Sequence, residues 1–153
     1  MIIKVYEVKN RVQQYQGCMT NDFLELNGDV TVIPTGDIFY DFRAERIERE
    51  IFVKGNIKGS FKFICRRCNG KFDKIIDVLF IRTYNFSSES DVIDLTNDVR
   101  EDILLALPSY WLCSEDCKGL CPECGVNLNE EKCTCKKRDF NDVWSILNKI
   151  KIK

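Results

Sequence analysis

Nine cysteines and no histidine stand in this chain of 153 residues, and eight of the nine fall into four close pairs. The pairs are Cys65-x2-Cys68, Cys113-x3-Cys117, Cys121-x2-Cys124 and Cys133-x-Cys135. Thiols one to three residues apart can reach one tetrahedral ion, so four pairs suffice for two four-cysteine sites. Cytosolic redox buffers keep thiols reduced. The N-terminal Met-Ile-Ile-Lys-Val-Tyr-Glu lacks the basic-then-apolar layout of an export signal, which favours metal over disulfides. No apolar run approaches the ~18 residues that a membrane span needs, so a cytoplasmic protein without membrane attachment is expected.

Without histidine, the chain lacks imidazole base catalysis, Ser/His and Cys/His nucleophile pairs, and histidine-ligated catalytic zinc. Four thiolates around one Zn2+ leave no position for water. One or two zinc ions would therefore be structural, with no catalytic residue and no small-molecule substrate implied. The strongest local signal is Leu120-Cys-Pro-Glu-Cys-Gly125, where Pro122 shapes the turn and Gly125 follows the second thiol. One joining puts Cys65 and Cys68 with Cys113 and Cys117 as a clasp, and Cys121 and Cys124 with Cys133 and Cys135 as a ribbon. In the other, Cys113 and Cys117 complete the Cys121/Cys124 site, leaving Cys65 and Cys68 free or weakly metallated. Cys18 has no nearby partner and reads as an inert thiol.

Close cysteine pairs also serve thiol oxidoreductases and zinc-based switches. Cys65-Arg-Arg-Cys68, however, falls between two strand-like runs and does not open a βαβ helix, which argues against a thioredoxin-like enzyme. A zinc-based thiol redox switch and a zinc-ribbon protein-interaction adaptor remain the alternative functions.

The rest of the chain reads as an α+β fold: a mostly antiparallel, barrel-like sheet, one amphipathic helix and the cysteine-rich segment. Residues 2–8 predict a strand, and residues 23–33 a hairpin about Asn27-Gly28. From Ile38 to Cys65 the pattern predicts two strands parted by a turn near Asn56 or Gly59. Within that stretch Ile51, Val53, Ile57, Phe61 and Phe63 alternate against Lys54, Lys58 and Lys62. Residues 71–86 form another strand-like run, and 87–94 a loop. Thr96 can cap a helix over 97–107, with Val99, Ile103 and Leu107 on one face and Pro108 ending it. This divides the chain into a β-rich body over 1–110, a zinc module over 111–138 and a C-terminal helix over 139–153 that docks on the body.

The formal net charge is −1, so nucleic-acid binding has to be argued locally. Between Lys54 and Lys74 seven basic residues face one acidic residue. Lys54, Lys58 and Lys62 share one face of an extended chain, and Arg66 and Arg67 follow, an arrangement able to track a phosphate backbone or simply to solvate a sheet. Lys136-Lys-Arg138 with Lys149, Lys151 and Lys153 adds a second basic area.

Three separated motifs, in order, resemble the YceD family of large ribosomal RNA subunit accumulation proteins. They are Gly55-Asn-Ile-Lys-Gly59 running into Cys65-Arg-Arg-Cys68, the Asp94-Leu-x3-Val-x-Glu-x-Ile-x-Leu-x-Leu-Pro108 stretch, and Cys113-x3-Cys-Lys-Gly-Leu-Cys-Pro-Glu-Cys-Gly-Val-Asn-Leu-Asn129 ending in Cys133-Thr-Cys135. The resemblance covers most of residues 50–150. It implies a factor needed for 23S rRNA accumulation and large-subunit assembly, not an enzyme. The partners it implies are the large ribosomal subunit precursor, through 23S rRNA or a ribosomal protein. Family members without the cysteine-rich segment imply that zinc stabilises the tail and does not carry the shared role.

Overall fold

A computed structural model of the chain describes residues 1–8, 11–26, 28 and 31–135. Along it run strands β1 (Ile2–Lys4), β2 (Gln13–Met19), β3 (Val32–Pro34), β4 (Ile38–Ile47), β5 (Glu50–Ile64), β6 (Lys71–Asn85) and β7 (Val92–Asp94), then helix α1 (Thr96–Ala106). Short 3-10 turns occupy Val5–Glu7 and Asn21–Leu24.

Strand β5 is the axis of the fold because its alternation is nearly perfect. Ile51, Val53, Ile57, Phe61 and Phe63 are buried, while Lys54, Asn56, Lys58 and Ser60 are exposed. β6 pairs with it antiparallel along its whole length, from Glu50↔Asn85 to Ile64↔Lys71. The other edge of β5 is shared: β4 takes Glu50–Lys58 and β3 takes Phe61–Phe63. β2 adds to the far side of β4, while β1 and β7 form a separate two-stranded antiparallel ribbon. Every pairing is antiparallel, as expected. The barrel is not: the outer strands β2 and β6 do not pair among the described residues, so the sheet stays open. α1 and the N-terminal segment cover its inner face instead.

Two turn expectations are corrected. The chain reverses at Glu48-Arg49, where Glu48 adopts φ 52°, and not near Asn56 or Gly59. Gly55 and Gly59 sit inside β5 because the space of a side chain is already taken. A Cβ on Gly55 would lie 1.9 Å from the Asp41 carbonyl oxygen and 2.7 Å from Phe42 Cδ1, and one on Gly59 would lie 2.5 Å from Ile38 Cδ1. Gly55 is paired with Phe42 on one side and Phe80 on the other, and those rings meet at 4.8 Å. Nor do the described residues of 23–33 form the expected hairpin, since Asn21–Leu24 is a 3-10 turn and Val32–Pro34 pairs with β5. Residues 27, 29 and 30 of that segment lie outside the described residues.

The core gathers Phe42, Phe61, Phe63 and Phe80 with Ile3, Leu24, Ile38, Ile57, Leu95 and Ile103. Trp111 stacks on Phe63 at 4.4 Å, which ties the start of the cysteine-rich segment to the sheet. α1 buries Val99 and Ile103 and packs Leu107 as expected. Its first turn, however, is held by Asp94 and not by a Thr96 cap: the Asp94 carboxylate accepts the Thr96 N–H at 2.9 Å and the Thr96 hydroxyl at 2.6 Å. The expected helix over 139–153 and the second basic area lie outside the described residues.

Candidate metal centres

The first centre is built where β5 turns into β6. Cys65 donates its N–H to the Gly70 carbonyl at 2.9 Å, and Asn69, at φ 55°, donates to the Cys65 carbonyl at 3.0 Å, closing a knuckle that aims the Cys65 and Cys68 sulfurs the same way. The tail is strapped to this knuckle by backbone pairing. The Arg66 N–H reaches the Trp111 carbonyl at 2.9 Å, and the Leu120 N–H reaches the Arg67 carbonyl at 3.1 Å. Arg67 Nη1 adds bonds to the carbonyls of Cys117 and Glu115 at 3.0 and 3.3 Å. Gly119 permits the approach: at φ 76° a Cβ would stand 3.1 Å from the Arg67 oxygen.

The strap delivers Cys113 and Cys117 to the knuckle, and the sulfurs of Cys65, Cys68, Cys113 and Cys117 all lie within 4.8 Å of one another. Cys65–Cys117 and Cys68–Cys113 are each 3.7 Å apart. Sulfurs around a tetrahedral metal ion at ~2.3 Å stand ~3.8 Å from one another, close to these two distances, so the set could hold one metal ion. Phe72, Leu112 and Leu120 pack around its three buried cysteines.

The second centre is local. Gly125, at φ 75°, donates to the Cys121 carbonyl at 2.9 Å, the Cys121 N–H reaches the Val126 carbonyl at 2.8 Å, and Leu120 bridges Asn127. Cys133 comes to 3.3 Å from Cys121 and 3.5 Å from Cys124, and with Cys135 the four sulfurs again lie within 4.8 Å of one another. Cys113 and Cys117 thus gather with Cys65 and Cys68 and not with Cys121 and Cys124. Both sets offer four soft thiol ligands and, among the described residues, no fifth group, a donor set able to close around a metal ion.

Thiol acidity follows from this crowding. Burial pushes Cys65 up, but the backbone N–H groups of Cys113, Cys68 and Arg67 outweigh it and hold the thiol at about 6. The N–H groups of Cys124 and Glu123, with the Cys133 side chain, bring Cys121 to about 6 as well. The neighbours take the opposite shift: the Cys133 and Cys124 side chains push Cys135 to about 12. Close thiolates cannot all ionise unaided, and a divalent cation among them reverses that constraint.

One contact that sequence reasoning missed links the centres. Asn129 lies in the loop of the second centre, yet its Nδ2 donates to Cys117 Sγ of the first at 3.4 Å. Its Oδ1 accepts the Lys118 N–H at 2.8 Å, and its N–H and Nδ2 both bond Asn127 Oδ1, at 3.1 and 2.8 Å. Cys18, the odd thiol, is exposed on β2 opposite Phe39 and belongs to neither set.

The basic residues separate into different settings. Lys54 and Lys58 are exposed on the solvent face of the sheet, Lys62 is half-buried, and Arg66 is exposed at the knuckle. Lys58 pairs with Asp77 at 3.1 Å, Lys62 stands opposite Asp73, and Arg67 is held by the tail strap. Arg43, opposite Lys54, joins the face from β4, as do Asp41 and Glu45. Cross-strand carboxylates therefore dilute a field that looks strongly positive along the sequence.

The chain is thus an open antiparallel β protein with one helix and a tail strapped to the sheet by backbone pairing, beside two four-cysteine clusters that could each hold a metal ion. The family model that matches is described as large ribosomal RNA subunit accumulation protein YceD, over residues 83–151. Residues 83–151 are therefore similar to YceD-family sequence, in line with the resemblance read from the motifs. It is similar to the chloroplastic large ribosomal RNA subunit accumulation protein YCED homolog 1 of Arabidopsis thaliana, 30% identical over 67 residues that cover 44% of this chain and 21% of that protein. The Zea mays homolog 1 is 32% identical over 90 residues, covering 58% and 29%. An uncharacterised Mycobacterium leprae protein is 30% identical over 116 residues, covering 65% and 54%. The matched regions take in from about a fifth to about half of these relatives' own lengths. No solved structure matches the chain. No helix among the described residues is long and apolar enough to cross a membrane.

Proposed function

We propose that this chain is a non-enzymatic cytoplasmic factor supporting accumulation of 23S rRNA and assembly of the large ribosomal subunit. The observation that carries this reading is the match to the large ribosomal RNA subunit accumulation family over residues 83–151. The names of the Arabidopsis and maize relatives support it.

Two structural zinc ions complete the proposal. One is held by Cys65, Cys68, Cys113 and Cys117, the other by Cys121, Cys124, Cys133 and Cys135. Zinc bound there supplies a closed crosslink. The chain's own residues orient it: the knuckle N–H groups and Asn129 point at sulfur, and Arg67 fixes the strap. A segment with little regular structure is thereby locked onto the edge of the sheet, where residues 111–135 show no helix or strand beyond the Leu120–Asn127 bridge.

Lys54, Lys58, Lys62, Arg66 and Arg67 are the proposed contacts to the subunit precursor. Lys54, Lys62 and Arg66 make no ion pair among the described residues and should contribute most, since Lys58 is engaged by Asp77 and Arg67 by the strap. The test is co-sedimentation with pre-large-subunit particles in sucrose gradients. Wild type should travel with them, and the Lys54→Glu/Lys62→Glu/Arg66→Glu variant should stay at the top while melting normally. Equal co-sedimentation of a folded variant would remove these residues from the interface.

A further inference from the structure

The solvent face of the five-stranded sheet carries a depression of about 430 Å3 lined by Val12, Arg43, Phe52, Lys54, Asn56 and Leu79. Its position follows from the pairing register. Arg43 on β4 and Lys54 on β5 are direct cross-strand partners, Phe52 lies two residues before Lys54 on the same face, and Leu79 on β6 stands opposite Asn56. Like charges directly opposite each other destabilise a sheet. Neither Arg43 nor Lys54 has an ion pair among the described residues; Asp41 lies near enough to Arg43 to offset it in part, and an anion between the two cations relieves the remaining repulsion.

Beside this anion position lies an unused ring. Phe52 is half-buried on the solvent face and joins none of the aromatic pairs among the described residues, whereas Phe42, Phe61, Phe63 and Phe80 all stack inward. Val12 and Leu79, both more than half exposed, form apolar walls. Asp41 and Glu45 also line the depression. Asp41 is occupied, accepting Gln14 Nε2 at 3.0 Å, while Glu45 has no ion pair among the described residues and can accept from an exocyclic base amine. These two carboxylates offset the two cations, so phosphate attraction is local and the ring has to supply much of the affinity.

A phosphate position, a free aromatic face and apolar walls side by side match one unit of an unpaired nucleic-acid strand, because a duplex hides the faces of its bases. Resting on the ribosomal RNA role proposed above, we propose that this depression is a single-stranded RNA subsite: a base stacks on Phe52, and its phosphate lies between Arg43 and Lys54.

The test uses the full zinc-loaded chain and fluorescein-labelled oligouridine and oligoadenosine RNA, with an RNA duplex of the same length, followed by fluorescence anisotropy. The single strands should bind at least about tenfold tighter than the duplex, with a shallow salt dependence reflecting one or two phosphates. Phe52→Ala should weaken single-strand binding by roughly five- to 150-fold. Phe52→Leu, which keeps apolar volume and guards against misfolding, should lose most of the same affinity. The Arg43→Gln/Lys54→Gln variant should bind more weakly and flatten the salt dependence.

Absence of single-strand binding, equal duplex binding, or unchanged affinity in a folded Phe52→Leu protein would each overturn the subsite. A photocrosslinker at position 52 that captures a ribosomal protein and no RNA would also overturn it and make the face a protein-docking surface. If depletion in the host still lowers 23S rRNA while the purified chain ignores RNA, the subsite fails and the proposed function stands.

Discussion

Replacing Gly55 with alanine adds one methyl group to a sheet that has no room for it. The new Cβ would stand 1.9 Å from the Asp41 carbonyl oxygen and 2.7 Å from Phe42 Cα, against an ordinary contact of 3.4–4 Å. Relief requires about 1.5 Å of movement, and the obstructing atoms are backbone atoms of β4, fixed by its pairing with β5 and β2. The movement would also disturb the Phe42–Phe80 ring contact at 4.8 Å. Overpacking costs about 1–3 kcal/mol where flexible side chains can give way, and a backbone obstruction belongs at the top of that range. About 3 kcal/mol in a chain of this size lowers the thermal midpoint by roughly 6–12 °C. Circular dichroism melts of the zinc-loaded proteins measure it. Gly36→Ala is the control: a Cβ there meets nothing within 4 Å, so its midpoint should hold or rise slightly. A Gly55→Ala protein melting with wild type would refute the claim that this glycine makes room for the β4 backbone and the two rings.

Further outcomes follow from the same geometry. Trp111→Ala removes the ring stacked on Phe63 at 4.4 Å and should cost about 3–5 kcal/mol in denaturant titrations, whereas a cost under about 1 kcal/mol would mean that the tail is not anchored there. Asn129→Ala should weaken the first zinc site by about 10–100-fold in chelator competition and leave the second unchanged; equal loss at both, or none, contradicts the role drawn from its bond to Cys117. Cys65→Ser should halve the zinc content measured by elemental analysis, and retention of two ions per chain would contradict the grouping. Bonds from the Thr96 side chain and N–H hold the Asp94 carboxyl below its usual range. The stability it supplies is therefore complete above the unfolded carboxylate pKa of about 4 and is lost as pH falls through the folded value. Asp94→Asn should melt below wild type at pH 7, and the two midpoints should converge as pH drops under about 4; a constant gap would contradict that linkage.

The alternation in β5 was legible because burial writes a period of two directly into the residues. The misplaced turn shows the opposite case: Gly55 and Gly59 look like chain reversals locally, and only the rings and backbone arriving from β4 and β6 explain them. β2 went unrecognised because Gln-Gln-Tyr-Gln-Gly-Cys-Met carries little hydrophobic pattern, and most of this outer strand is exposed on both faces. Spacing identified the eight paired cysteines, but their grouping depends on contacts far apart in sequence, such as Leu120 to Arg67 and Trp111 to Arg66. Electrostatics was the least legible feature. The basic run from Lys54 to Lys74 meets Asp41, Glu45, Asp73 and Asp77 across the strands, and the Arg43–Lys54 pairing cannot be seen without the register.

Depleting the protein in its own host and measuring the ratio of 23S to 16S rRNA tests its proposed role in large-subunit rRNA accumulation. The ratio should fall, and wild type should restore it while the Lys54→Glu/Lys62→Glu/Arg66→Glu variant should not. An unchanged ratio after complete depletion would contradict that role.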